Sequence, residues 1–71
     1  MEWPDLGTRV VIRYRLPAGS VPPLTDVIGY LLETGPVVRV RDKRGTVVEV
    51  RVQDVTIVRA VGDPPARRKS P

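Results

Sequence analysis

The sequence predicts an all-β domain, a small barrel of five strands followed by a disordered C-terminal tail. Three observations carry that expectation. Fourteen valines stand against no phenylalanine, and β-branched side chains suit a pleated surface better than a helix. Apolar residues recur at every second position in two long stretches, which is the period of a half-buried strand. Glycines and prolines interrupt the chain between those stretches, as turns require.

The first strand is expected over Thr8–Leu16, TRVVIRYRL. Val10, Ile12, Tyr14 and Leu16 share one face, and Arg9, Arg13 and Arg15 share the other. Gly7 and Pro17 bound it. Pro17–Pro23, PAGSVPP, holds three prolines and a glycine and reads as a loop. Leu24–Thr34 admits two readings. Leu24, Ile28, Leu31 and Leu32 fall near helical spacing, with Thr25 or Asp26 as a cap. Gly29 in mid-segment and strand-like neighbours favour a strand instead, with a bulge or kink at Gly29.

After a turn at Glu33–Pro36, the stretch Val37–Val55 reads as a hairpin. Lys43, Arg44 and Gly45 form its loop, with Gly45 in the left-handed conformation that closes a G1 bulge. Counting back from Asp42 and Thr46, Val40 faces Val48 and Val38 faces Val50 on the inner side. Arg39 then faces Glu49 on the outer side, a cross-strand ion pair. Gln53-Asp54-Val55 is a short turn, of 3₁₀ type, and Thr56–Val61 is the last strand. Residues 62–71 lack apolar pattern and read as a disordered tail or linker. Five short strands with a tight turn before the last make residues 1–61 an SH3-like barrel. An OB-type barrel is the alternative, but the turn at Lys43–Gly45 leaves no room for its usual helix.

Composition excludes several function classes. With no Cys and no His, neither a disulfide nor a thiolate or imidazole metal site is available. Ser20 and Ser70 are the serines, so the usual nucleophile–base pairs are missing. No cofactor, metal or catalytic site is expected. The apolar runs are far too short to span a membrane, and Met1-Glu2-Trp3-Pro4 lacks the form of a signal peptide. A cytoplasmic location is the expectation. The net charge of +4 divides evenly between the barrel and the tail, so the barrel itself is only mildly basic.

Several irregular runs resemble a known family. Trp3-Pro4-Asp5-Leu6-Gly7, Arg13-Tyr14-Arg15-Leu16, Val21-Pro22-Pro23-Leu24-Thr25-Asp26 and Ile28-Gly29 are similar to the SH3-like domain at the N-terminus of bacterial GNAT-type, histone-acetyltransferase-like N-acetyltransferases. The similarity runs from Trp3 to Val61. In that family the catalytic domain follows the barrel, and its Arg/Gln-x-x-Gly-x-Gly/Ala cradle for acetyl-CoA occurs nowhere in this sequence. The resemblance therefore implies a non-catalytic accessory domain. Its expected partner is an acetyltransferase catalytic domain in cis or in trans, or another protein.

Two surfaces are candidates for contact. Pro17, Ser20, Val21, Pro22, Pro23 and Asp26 form the longest irregular segment, suited to docking a catalytic domain or to serving as a stiff connector. Arg9, Arg13 and Arg15 on the first strand, with Arg39, Arg41, Lys43 and Arg44 on the hairpin, form a basic surface suited to nucleic acid. The competing reading of that surface is a solvated strand face on which Glu49 neutralises Arg39.

Overall fold

Alternation along the chain becomes five strands in the computed structural model, which describes residues 2–62. All of the expected tail except Gly62 lies outside the described residues. The strands are β1 (Arg9–Arg15), β2 (Leu24–Glu33), β3 (Val37–Arg41), β4 (Val47–Arg51) and β5 (Val55–Ala60), with a 3₁₀ turn at Val52–Asp54. They form one antiparallel sheet in the order β4-β3-β2-β1-β5.

The sheet curls without closing: β4 and β5 are its two edges, and no ladder joins them. The expected five-stranded all-β domain is thus one antiparallel sheet, and its edges are not joined into a closed barrel. The 3₁₀ turn carries the chain from β4 across the end of the core, so β5 pairs with β1 instead. Charged side chains on both edges, such as Glu49, Arg51 and Arg59, are a usual protection against further pairing.

The hairpin has the register its alternation and turn residues require. Val40 pairs with Val48, Val38 with Val50, Arg39 with Glu49 and Arg41 with Val47. The Gly45 amide donates to the Asp42 carbonyl at 2.9 Å, and Gly45 takes φ 85°. An alanine there would set its Cβ against the backbone. The Asp42 side chain accepts from the Arg44 and Thr46 amides at 2.9 and 3.0 Å, which locks the loop.

β2 is a strand along its whole length, so the helical spacing of its leucines has no structural counterpart. Its irregularity lies between Leu31 and Glu33 in the pairing with β3, not at Gly29, which pairs regularly with Val10. Gly29 answers a different need. It is buried, and an added Cβ would collide with the Arg41 carbonyl oxygen, 2.7 Å from its carbon and 2.9 Å from Val40 Cγ1. The missing side chain lets the end of β3 fold over β2, which is what curls so small a sheet around its core. A second irregularity, between β1 and β5 at Arg13/Tyr14, leaves Thr56 as the extra residue, and its hydroxyl donates to the Arg13 carbonyl at 3.1 Å.

The core is the inner face. Val10, Ile12, Val27, Leu31, Val38 and Val40 form one buried cluster, with Trp3, Tyr14, Val48, Val55 and Val58 packed around it. Tyr14 points inward as the alternation of β1 requires, and Trp3 covers part of the cluster. Each fully buried aliphatic contributes roughly 1.5–3 kcal/mol relative to exposure, so a handful of them dominates stability in a chain of this size.

Candidate functional site

Pairing registers decide what shares the outer face. From β1 it takes Arg9, Val11, Arg13 and Arg15; opposite these on β2 stand Tyr30, Ile28, Asp26 and Leu24. On the other flank of β1, Arg59 of β5 lies beside Val11 and Ile57 beside Arg13. Arg41 of β3 lies beside Tyr30.

Several of the arginines are already engaged. Arg13 donates to both carboxylate oxygens of Asp26, Nε to Oδ1 at 2.9 Å and Nη2 to Oδ2 at 3.3 Å. These hydrogen bonds hold the Asp26 carboxyl below its ordinary value; desolvation opposes them, and charge attraction to Arg13 adds a smaller share in the same direction as the bonds. The same contacts, hydrogen bonding first, raise Arg13. Arg39 lies between Glu49 at 3.2 Å and Glu33 at 3.5 Å. Arg9 Nη1 donates to the Gly62 carbonyl at 2.8 Å. The seven basic candidates therefore do not form one open basic surface.

The depressed Asp26 value has a consequence for acid stability. Its contribution is present above the unfolded carboxyl value of about 3.9 and is lost as pH falls through the lower folded value. Asp26→Asn should therefore show a flatter loss of stability below pH ~4 than wild type. Urea midpoints measured from neutral pH down to about pH 2 check this; parallel acid limbs would show that the pair makes no net contribution.

Two grooves gather five of the cations, Arg9, Lys43 and Arg44 in one and Arg15 and Arg51 in the other. One, of about 770 Å³, is lined by Arg9, Ile28, Tyr30, Lys43 and Arg44 among others, and so joins the start of β1 to the hairpin loop. The other, of about 530 Å³ at the opposite end, holds Arg15, Pro17 and Ala18 with Arg51 and Asp54. Arg51 was missed in reading the sequence, although extending the hairpin register two residues past Glu49 places it on the outer face.

The proline loop is tied at its base by Leu16 N to Pro23 O at 2.9 Å, and internally by Ser20, whose amide and hydroxyl both donate to the Pro17 carbonyl. Val21 at its tip is 95% exposed, and Pro17, Pro22 and Pro23 are exposed as well. Asp26 belongs to β2 and is turned toward Arg13, away from the loop's tip. The residues of this candidate surface are therefore split between a loop and a strand face.

The outer face also carries aliphatics among its arginines. Ile28 is 49% and Ile57 44% exposed, and the half-buried Val11 lies between their strands. Among the described residues, no three His, Cys, Asp or Glu side chains gather as metal ligands, and no helix is long and apolar enough to cross a membrane.

Comparison with known proteins gives this geometry its context. The family described as "Rv0428c N-terminal Sm-like domain" matches residues 4–59. A relative from Mycobacterium tuberculosis (strain ATCC 25618 / H37Rv), "Probable histone acetyltransferase Rv0428c", is 55% identical over 67 residues. That match covers 94% of this chain and 22% of the relative, so the chain spans less than a quarter of the relative's length. No solved structure matches. With its five strands in one antiparallel sheet and the match running from Pro4 through most of β5, the chain belongs to the family of Rv0428c N-terminal Sm-like domains.

Proposed function

We propose that the chain is a non-catalytic accessory domain that makes protein contacts with a GNAT-type acetyltransferase domain, in cis or in trans. The observation that carries this reading is the coverage: the matched part is an N-terminal domain, and more than three-quarters of the acetyltransferase-like relative lies outside it. The residue chemistry agrees, since among the described residues no nucleophile–base pair or perturbed carboxylate in an apolar pocket is available for group transfer.

The test is calorimetric titration of the chain with the remainder of the mycobacterial relative, prepared without its N-terminal domain and verified as folded by circular dichroism. Saturable one-to-one binding is expected. Absence of binding at 100 μM (on the order of the weakest useful domain contacts) would overturn the reading.

A second reading, nucleic-acid binding, is favoured by one feature, the groove that sets Tyr30 among Arg9, Lys43 and Arg44, although Asp26 and Asp42 also line it. Phosphate contacts make such binding fall steeply with salt. Titration with single- and double-stranded oligonucleotides at low and moderate salt distinguishes it from the first.

A further inference from the structure

We infer that the outer face of β1, β2 and β5, centred on Val11, Ile28 and Ile57, is the surface on which the acetyltransferase domain docks. This rests on the accessory role proposed above and specifies where that role is exercised. The partner surface it fits is an apolar patch fringed by carboxylates.

The patch is contiguous by register. Val11 faces Ile28 on one side and Arg59 on the other, neighbours whose Cβ atoms lie roughly 5 Å apart. Val11 and Ile57 also share a shallow hollow of about 250 Å³ with Arg13 and Arg59. Ile28 on the central strand β2 and Ile57 on the edge strand β5 are each about half exposed, and each gives up part of its burial energy there. Aliphatic side chains surrounded by arginines and one tyrosine are the composition of a protein-binding surface.

Charge indicates the sign of the partner. Asp26 is neutralised by Arg13, whereas Arg59 and Arg41 have no carboxylate partner among the described residues. The rim is therefore cationic and suits acidic groups. A second copy of the same face would bring arginine against arginine. A nucleic acid would meet aliphatics at the centre, where stacking needs rings.

The end of the described chain also lies on this face. The Val61 amide donates to the Arg9 carbonyl at 2.9 Å, and the outward-facing Arg9 side chain holds the Gly62 carbonyl. The chain thus leaves on the outer side, at the rim of the patch. The Pro17–Pro23 loop sits at the far end of β1, seven residues away, or roughly 20 Å at the rise of a strand. The described chain therefore ends beside the patch, at the opposite end of β1 from the loop.

The experiment uses the titration above with three variants, Ile28→Asp, Arg59→Glu and the loop control Val21→Asp. Ile28→Asp and Arg59→Glu are expected to weaken binding at least tenfold, and Val21→Asp to leave it within twofold. Methyl shifts of wild type on binding should centre on Val11, Ile28 and Ile57. Arg59→Glu replaces one exposed charge by another, so it serves if Ile28→Asp fails to fold. Wild-type binding that both face variants retain, or shifts centred on Pro17–Pro23, overturns the surface and leaves the accessory role standing. Oligonucleotide binding through this face, or a self-association that Ile28→Asp abolishes, also overturns it. Absence of any binding by folded wild type removes the accessory role itself.

Discussion

Gly29→Ala should destabilise the domain by about 3 kcal/mol, at the upper end of what overpacking usually costs. Two effects oppose each other at this position. Replacing glycine stiffens the unfolded chain and adds ~0.4–1 kcal/mol of stability where the native geometry allows it. Here the new Cβ would collide with the Arg41 carbonyl and lie 2.9 Å from Val40 Cγ1. Backbone cannot swing aside as the end of a long side chain can, so β3 must move off β2 and the core beneath it must loosen. A domain of about 60 residues has ~3–9 kcal/mol in total, so the loss is a large share of it. Urea denaturation checks this, with Gly62→Ala as the control, since nothing lies within 4 Å of a Cβ there. A Gly29→Ala midpoint at or above that of wild type would show that the strands do not approach as described.

Leu31→Ala is expected to be as damaging, by a different route. Leu31 is fully buried in the central cluster, and large-to-small changes at such sites cost ~2–5 kcal/mol. Its backbone adds to the effect. The Leu31 carbonyl accepts from the Gly7 amide at 2.7 Å, and its own amide donates to the Thr8 carbonyl at 2.9 Å. A cavity at Leu31 therefore loosens the segment that carries Trp3 onto the core. The expected outcome is a chain largely unfolded at 37 °C by circular dichroism, while Ile12→Val loses only ~0.5–1.5 kcal/mol and stays folded. A Leu31→Ala protein melting within a few degrees of wild type would show that the cluster is not the main source of stability.

What the sequence disclosed and what it hid follow from how local each cause is. The hairpin register could be counted because its determinants lie within a few residues: period-two valines, the Asp42 clamp and the positive φ of Gly45. The core valines followed from the same alternation. The irregularity in β2 was misplaced at Gly29 because a bulge depends on which strand pairs alongside, and β1 and β3 impose different registers. Arg13 meets Asp26 only once the proline loop has set the pairing of β1 with β2. The outer aliphatics were hidden for a simpler reason. In Val10-Val11-Ile12 and Val27-Ile28, consecutive apolar residues lie on opposite faces of a strand, and the inner row together with the arginines masks the outward ones, Val11 and Ile28. The patch that carries the docking proposal is made of those residues.

The anchoring of Val61 and Gly62 on Arg9 also determines how the domain meets mechanical load. The N-terminal end of β1 and the C-terminal end of β5 lie side by side, because these two strands are antiparallel neighbours. Tension applied across those two strand ends therefore opens their ladder one rung at a time, beginning near the Val61–Arg9 bond, rather than shearing all the rungs at once. Sequential rupture needs less force than shear. A tether pulled from this corner would peel β5 away as an early, reversible step while the hairpin of β3 and β4 stayed paired.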